Sequence, residues 1–201
     1  MYLAKLEIKK SRLALGWLSN HYRIHQRLLI AYRQEPRLLY RVEEGASNPV
    51  ILVQSSTAPV WADAFSEFDV LSYNPEVKQF TPVFQPEGLF HFRLTANPTV
   101  TRNNKRFGLF REEDQLSWIQ RQMKKSGCDL IECQVTRLGL QRSGKYPVKD
   151  PHMHTHFGAQ FDGTLKVVEP EKLTAAVQNG IGPAKAYGFG LLSLAPFQDD
   201  G

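Results

Sequence analysis

Two cysteines, Cys128 and Cys133, are all that the 201 residues carry, which argues against a disulfide-built secreted scaffold. No apolar run comes near the roughly 20 residues that a membrane-spanning helix needs, because charged residues recur along the chain. The opening residues Met1-Tyr2-Leu3-Ala4-Lys5 lack the charged, apolar, then small layout of an export signal. A cytoplasmic protein without membrane partners is expected. Charge of one sign is not dominant either: 25 Lys and Arg against 20 Asp and Glu leave a net charge of +5. That balance is compatible with a polyanionic partner and does not establish one.

Nucleotide and metal fingerprints are missing as well. No Gly-Lys-Ser/Thr opens a helix, and the glycines between Gly180 and Gly190 follow a helical pattern and precede a strand, the reverse of a dinucleotide loop. His21 and His25 stand four apart, but no Glu follows His21 as a zincin motif demands. His152, His154 and His156 alternate, yet Cys128 and Cys133 lack knuckle spacing and Asp150-Pro151 reads as a loop start. The expectation is no metal and no cofactor, with the three histidines forming a solvent- or RNA-facing patch.

What is present is a hydrophobic fraction of 42%, enough to build real cores. Tyr2 to Lys9 alternates with period two, as an amphipathic strand does. After a link containing Gly16, Ser19 or Asn20 is placed to cap a helix to about Tyr32, with Ile24, Leu28 and Ala31 on its core stripe. Leu38–Glu43 and Pro49–Ser56 read as strands, residues near Trp61 to Phe68 as a short helix, and Leu89–Thr95 as a strand. Strand, helix, strand, strand, helix, strand is the ferredoxin-like plan.

A similar order then restarts. Lys105–Phe110 reads as a short strand and Glu112–Lys125 as a helix. Cys128–Leu140, Thr155–Phe161 and Thr164–Val168 read as strands. Pro170 suits the first turn of a helix that Gly180 ends, and a strand follows from Gly190 to Pro196. The expected fold is α+β, two tandem ferredoxin-like domains over residues 1–97 and 98–201.

The segment Gln178-Asn179-Gly180-Ile181-Gly182-Pro183-Ala184-Lys185-Ala186-Tyr187-Gly188-Phe189-Gly190-Leu191-Leu192-Ser193-Leu194 closely resembles the C-terminal signature of the CasE family, the repeat-processing endoribonucleases of type I-E CRISPR systems. Met1-Tyr2-Leu3, Tyr22-Arg23-Ile24-His25-Gln26, Val53-Gln54-Ser55, Pro59-Val60 and Phe92-Arg93-Leu94-Thr95-Ala96-Asn97-Pro98 match in the same order. The resemblance therefore covers essentially the whole chain. It implies a metal-independent endoribonuclease that cuts CRISPR repeat hairpins and stays on the product with other Cascade subunits. Asp69–Gly88 and Asp150–His156 have no clear counterpart.

Site expectations follow from the resemblance and the chemistry together. His25 stands where the family carries its catalytic histidine, and Tyr22 where an assisting tyrosine sits one turn earlier. Histidine suits the proton transfers because its ordinary pKa lies near neutrality; whether His25 acts as acid or base stays open. Candidate RNA contacts fall in groups: Arg23 and Arg27 on the same helix, then Arg93, Arg102, Lys105 and Arg106 near the junction. Arg137, Arg142, Lys145 and Lys149 surround a turn that is the best candidate for the basic hairpin that the resemblance implies. In the glycine-rich loop, Gly180, Gly182, Gly188 and Gly190 leave backbone exposed, and Lys185 is placed to meet a phosphate. A non-catalytic hairpin-RNA-binding subunit and a generic small-ligand domain are the competing readings.

Overall fold

The computed structural model describes residues 1–34, 36–143 and 154–197. It divides into two compact units. The first holds residues 1–81 and the turn Lys185–Gly188, with the described ends of Arg142–Thr155. The second holds Pro82–Gln141, His156–Ala184 and the described part of Phe189–Gly201.

In the first unit β1 (Tyr2–Glu7) is followed by two helices, α1 (Arg12–Leu18) and α2 (His21–Ile30). Ser11 caps α1 through Ala14 N. Asn20 caps α2, its side chain accepting from Tyr22 N and Arg23 N. That satisfies two of the amide donors that any helix start leaves without partners. Then come β2 (Leu38–Glu43), β3 (Val50–Ser55), α3 (Trp61–Phe65) and β4 (Val77–Gln79). The sheet order is β2-β3-β1-β4, antiparallel throughout. This is the ferredoxin-like arrangement, with Leu6 and Ile8 facing Ile24, Leu28 and Ala31 in one closed core.

The second unit repeats the plan. β5 (Leu89–Ala96) leads through the hairpin β6 (Thr99–Arg102) and β7 (Lys105–Gly108) to α4 (Glu112–Lys125). β8 (Cys128–Ser143), β9 (His154–Val167), α5 (Pro170–Asn179) and β10 (Leu192–Pro196) complete it. The order β10-β5-β9-β8 is again ferredoxin-like. Pro170 opens α5, and Gly180 ends it with φ of 72°. Phe92, Leu94, Phe161 and Leu165 from the strands and Ile119, Met123, Leu173 and Val177 from the helices are all buried.

Three sequence expectations need correction. Leu89–Ala96 is a central strand of the second sheet rather than the last strand of the first. The first sheet closes instead with Val77–Gln79, and the units divide after Thr81, not after Asn97. All three residues of β4 are exposed, so no alternation of buried and polar positions marks it as a strand. Gly16 lies inside helix α1 rather than in a link, since Ala14 and Trp17 anchor that helix in the core. The two strands read between Thr155 and Val168 are one continuous strand, β9.

Candidate active site

The first unit gathers α2, β2 and the turn Lys185–Tyr187 around one buried ring, Tyr40. β2 places Tyr40 on the core face of the sheet, fully buried. Its hydroxyl oxygen lies 2.7 Å from the His21 carbonyl and 3.2 Å from the Ala186 carbonyl. The single phenolic proton is donated to the nearer oxygen, and the second contact brings the glycine-rich turn against the start of α2. Burial, and after it the proximity of Tyr187, push the Tyr40 phenol well above its ordinary pKa, so it stays a donor.

Two imidazoles lean on that ring. His25 stacks on Tyr40 with centroids 6.2 Å apart and planes 17° from parallel, and His21 does so at 6.2 Å and 28°. Positions four apart on a helix share a face, which is why one tyrosine supports both. His25 and His21 are half-buried, and Nδ1 of each is shut off from solvent. Tyr22, one turn before His25, accepts a hydrogen bond from Gln26 Nε2 at 3.1 Å.

The glycine-rich turn completes the arrangement. Gly188 has φ of +82°, and a Cβ there would lie 2.8 Å from His21 Nδ1 and 3.2 Å from a Tyr40 ring carbon. Only glycine allows the turn to come this close. Burial, then the charge of Arg37, lower the Lys185 pKa from its ordinary value. Burial, then Tyr22, raise that of Tyr187. An anion beside Lys185 would favour its charged form and offset the cost of its burial. The remaining glycines belong to the second unit: Gly190 N donates to Thr95 O, and Gly182 packs against the Trp118 ring.

The basic residues fare unequally. Arg27 is turned inward: its guanidinium lies 4.5 Å above the Phe68 ring, and Nη1 donates to Ala64 O at 3.2 Å. Arg93 pairs with Asp162 at 2.5 Å, and Arg137 reaches Glu112 at 3.8 Å. Arg102, Lys105 and Arg106 are exposed and come together at the end of the β6–β7 hairpin. Asn103 and Asn104, both with positive φ, form its turn, as two-residue hairpin turns require. Arg142 lies at the end of β8, while Lys145, Lys149 and His152 are outside the described residues. Cys128 is buried and its thiol is pushed up to about 12 by burial; that of Cys133 is pushed up to about 11 by the same cause.

Sequence reasoning did not single out Tyr40, Tyr187 or the part that His21 plays beside His25. For His21 the signal was its spacing from His25, read only as a metal motif. No described helix is long and apolar enough to cross a membrane.

Comparison with known proteins puts this arrangement in context. A family model described as CRISPR associated protein matches residues 1–196. The CRISPR-associated endoribonuclease Cse3 of Thermus thermophilus is 33% identical, over 98% of this chain and 100% of its own. The CRISPR system Cascade subunit CasE of Escherichia coli K12 is 29% identical over the same shares. A solved structure of Thermus thermophilus Cse3 bound to an RNA representing a pre-cleavage complex aligns with a TM-score of 0.82 at 31% identity, covering 97% of this chain and 98% of that one.

Proposed function

The chain belongs to the CRISPR-associated protein family, among its CasE-type repeat endoribonucleases, and from that membership we propose how it cuts. It is an endoribonuclease that cleaves CRISPR repeat RNA and works with the other Cascade subunits. The nucleophile in our reading is the RNA's own 2′-hydroxyl. Its proton leaves, O2′ bonds to the adjacent phosphorus, and the bond from phosphorus to the 5′-oxygen breaks as that oxygen takes up a proton. The products are a 2′,3′-cyclic phosphate and a 5′-hydroxyl.

His25 moves one of these two protons. The observation that carries the reading is its setting: a half-buried imidazole stacked against Tyr40, one helical turn along α2 from Tyr22. Because Nδ1 is shut off from solvent, exchange with RNA runs through Nε2. Tyr22, held by Gln26, orients the 2′-hydroxyl or the scissile phosphate by hydrogen bonding. Lys185 supports the charge that builds on the phosphorane, a role suited to a partly desolvated cation. In this reading the exposed hairpin residues Arg102, Lys105 and Arg106 track the RNA backbone, reading shape more than sequence.

The test uses three repeat hairpins in excess chelator. The unmodified hairpin should be cut, and one with a single 2′-deoxy sugar at the scissile position should not. A hairpin with sulfur in place of the leaving 5′-oxygen separates the roles of His25, since a thiolate leaves without a proton. If His25 is the acid, His25→Ala cuts this substrate at close to the parental rate. If it is the base, the defect persists. Cutting of the deoxy substrate, or loss of all cutting in chelator with recovery on one divalent ion, would contradict the mechanism.

A further inference from the structure

Away from the contacts of His25, a concavity opens between α1 and α2, with a volume of about 630 Å³. That lies within the range of sites that hold small molecules, about 300–1,000 Å³, and is ample for a nucleotide. Its charge is one-sided. Arg12 comes from α1, Arg23 and Arg27 come from α2, and no carboxylate is among its described lining residues. The proposed cutting reaction uses neither Arg12 nor this groove as a whole.

Its walls are also suited to a base. Arg27 is held over Phe68 and by its bond to Ala64 O, and it lines the groove as a planar cation. Unpaired bases stack on such planes and on aromatic rings. Leu13 and Ile30 add exposed apolar surface, 55% and 49% accessible. A paired base has both faces covered by its neighbours and would gain little from these walls. The groove connects to the site as well: Gln26 lines it and donates to the Tyr22 hydroxyl.

We propose that this α1–α2 groove binds an unpaired nucleotide of the RNA strand flanking the repeat hairpin, its phosphate between Arg12 and Arg23 and its base against Arg27 and the apolar wall. The proposal rests on the reading that Tyr22 stands at the scissile phosphate, because the Gln26 link is what places the groove next to the cut. The partner is single-stranded RNA. A neutral or basic protein segment would gain nothing from Arg12, Arg23 and Arg27, which line the groove with no carboxylate among its described lining residues.

Gly16 supplies the test. It lines the groove from within α1, and nothing lies within 4 Å of where its Cβ would be. A side chain there enters the groove without a clash, and replacing a mid-helix glycine favours the helix. Equilibrium binding is measured for the minimal hairpin and for the hairpin carrying a four-nucleotide unpaired extension next to the cut. The comparison is made for the parental protein, Gly16→Glu and Gly16→Gln. The extension should tighten parental binding about tenfold, the scale of one stacked base with a neutralised phosphate. Gly16→Glu should abolish that gain while leaving minimal-hairpin affinity within about twofold, and Gly16→Gln should keep part of it.

An extension that adds no affinity overturns the proposal, as does a Gly16→Glu protein that keeps the gain or loses affinity for both RNAs equally. Gly16→Glu that leaves RNA binding intact but prevents assembly with the other Cascade subunits would make the groove a protein-docking site and overturn it too. Failure here leaves minimal-hairpin cleavage by the parental protein unaffected, whereas failure of the cleavage reading shows as cutting of neither RNA.

Discussion

Replacing Gly188 by alanine probes whether the glycine-rich turn matters because it abuts α2, the helix that carries His25. Two costs arise. The residue has φ of +82°, where an L side chain is disfavoured by about 1–2 kcal/mol. The new Cβ would also stand 2.8 Å from His21 Nδ1, about 0.6 Å short of ordinary van der Waals contact at 3.4 Å, and 3.2 Å from Tyr40. Overpacking of this kind adds about 1–3 kcal/mol. Gly139→Ala calibrates the first cost alone, because Gly139 has φ of +73° and nothing within 4 Å of a built Cβ. The difference between the two variants in urea denaturation is therefore the contact cost.

The function should suffer through the same contact. His21 and His25 both rest on Tyr40, so a displaced His21 ring or a tilted Tyr40 would move the imidazole that we propose handles the proton. Misplacement by even a fraction of an ångström in a catalytic constellation is expected to slow single-turnover cleavage about 10–100-fold. The measurement is made with saturating enzyme, well below the melting temperature of the variant. If Gly188→Ala loses no more stability than Gly139→Ala and cuts at the parental rate, the turn does not position the site.

Other outcomes can be checked alongside. Tyr40→Phe keeps the ring that supports both histidines but removes the hydroxyl that bonds His21 O and meets Ala186 O. It should cost about 1 kcal/mol in urea denaturation, with a smaller loss of cleavage than Gly188→Ala; a larger loss would give the hydroxyl itself a role in the reaction. Lys185→Gln should weaken hairpin binding and lower the slope of log affinity against log salt by about 0.7–0.9, one phosphate contact; an unchanged slope removes Lys185 from the RNA. Cys128 and Cys133 hold their protons to about 12 and 11, whereas the ordinary value is 9.0. Unfolded thiols thus ionise first, and stability should fall as pH rises above about 9. A Cys128→Ala/Cys133→Ser protein should show a shallower decline in melting temperature over that range.

Much of the fold could be read from periodicity and punctuation. The alternation of Tyr2 to Lys9, Asn20 ahead of a helical stripe, and Pro170 with Gly180 around α5 are local signals, and local chemistry decides those elements. The second sheet's first strand was assigned to the wrong half because the true β4 is three exposed residues on a sheet edge, with nothing buried to set a period. Gly16 suggested a break where Ala14 and Trp17 fix a helix by tertiary packing. At the candidate site, His25 and Tyr22 are what the resemblance implies. Tyr40 was not, since a tyrosine in a strand reads the same whether its ring backs a catalytic residue or fills a core. Its contact with Ala186 spans 146 positions, which no spacing rule reaches. The inward turn of Arg27 and the pairing of Arg93 with Asp162 were equally hidden, because sequence gives a charge but not its partner.

The central claim is that His25 carries a proton in RNA cleavage, and single-turnover cutting of a repeat hairpin by His25→Ala tests it most directly. With binding of the same hairpin measured in parallel, the rate should fall about 10²–10⁴-fold, the usual worth of a positioned acid or base, while affinity stays near the parental value. A variant that binds normally and cuts at the parental rate would contradict the account.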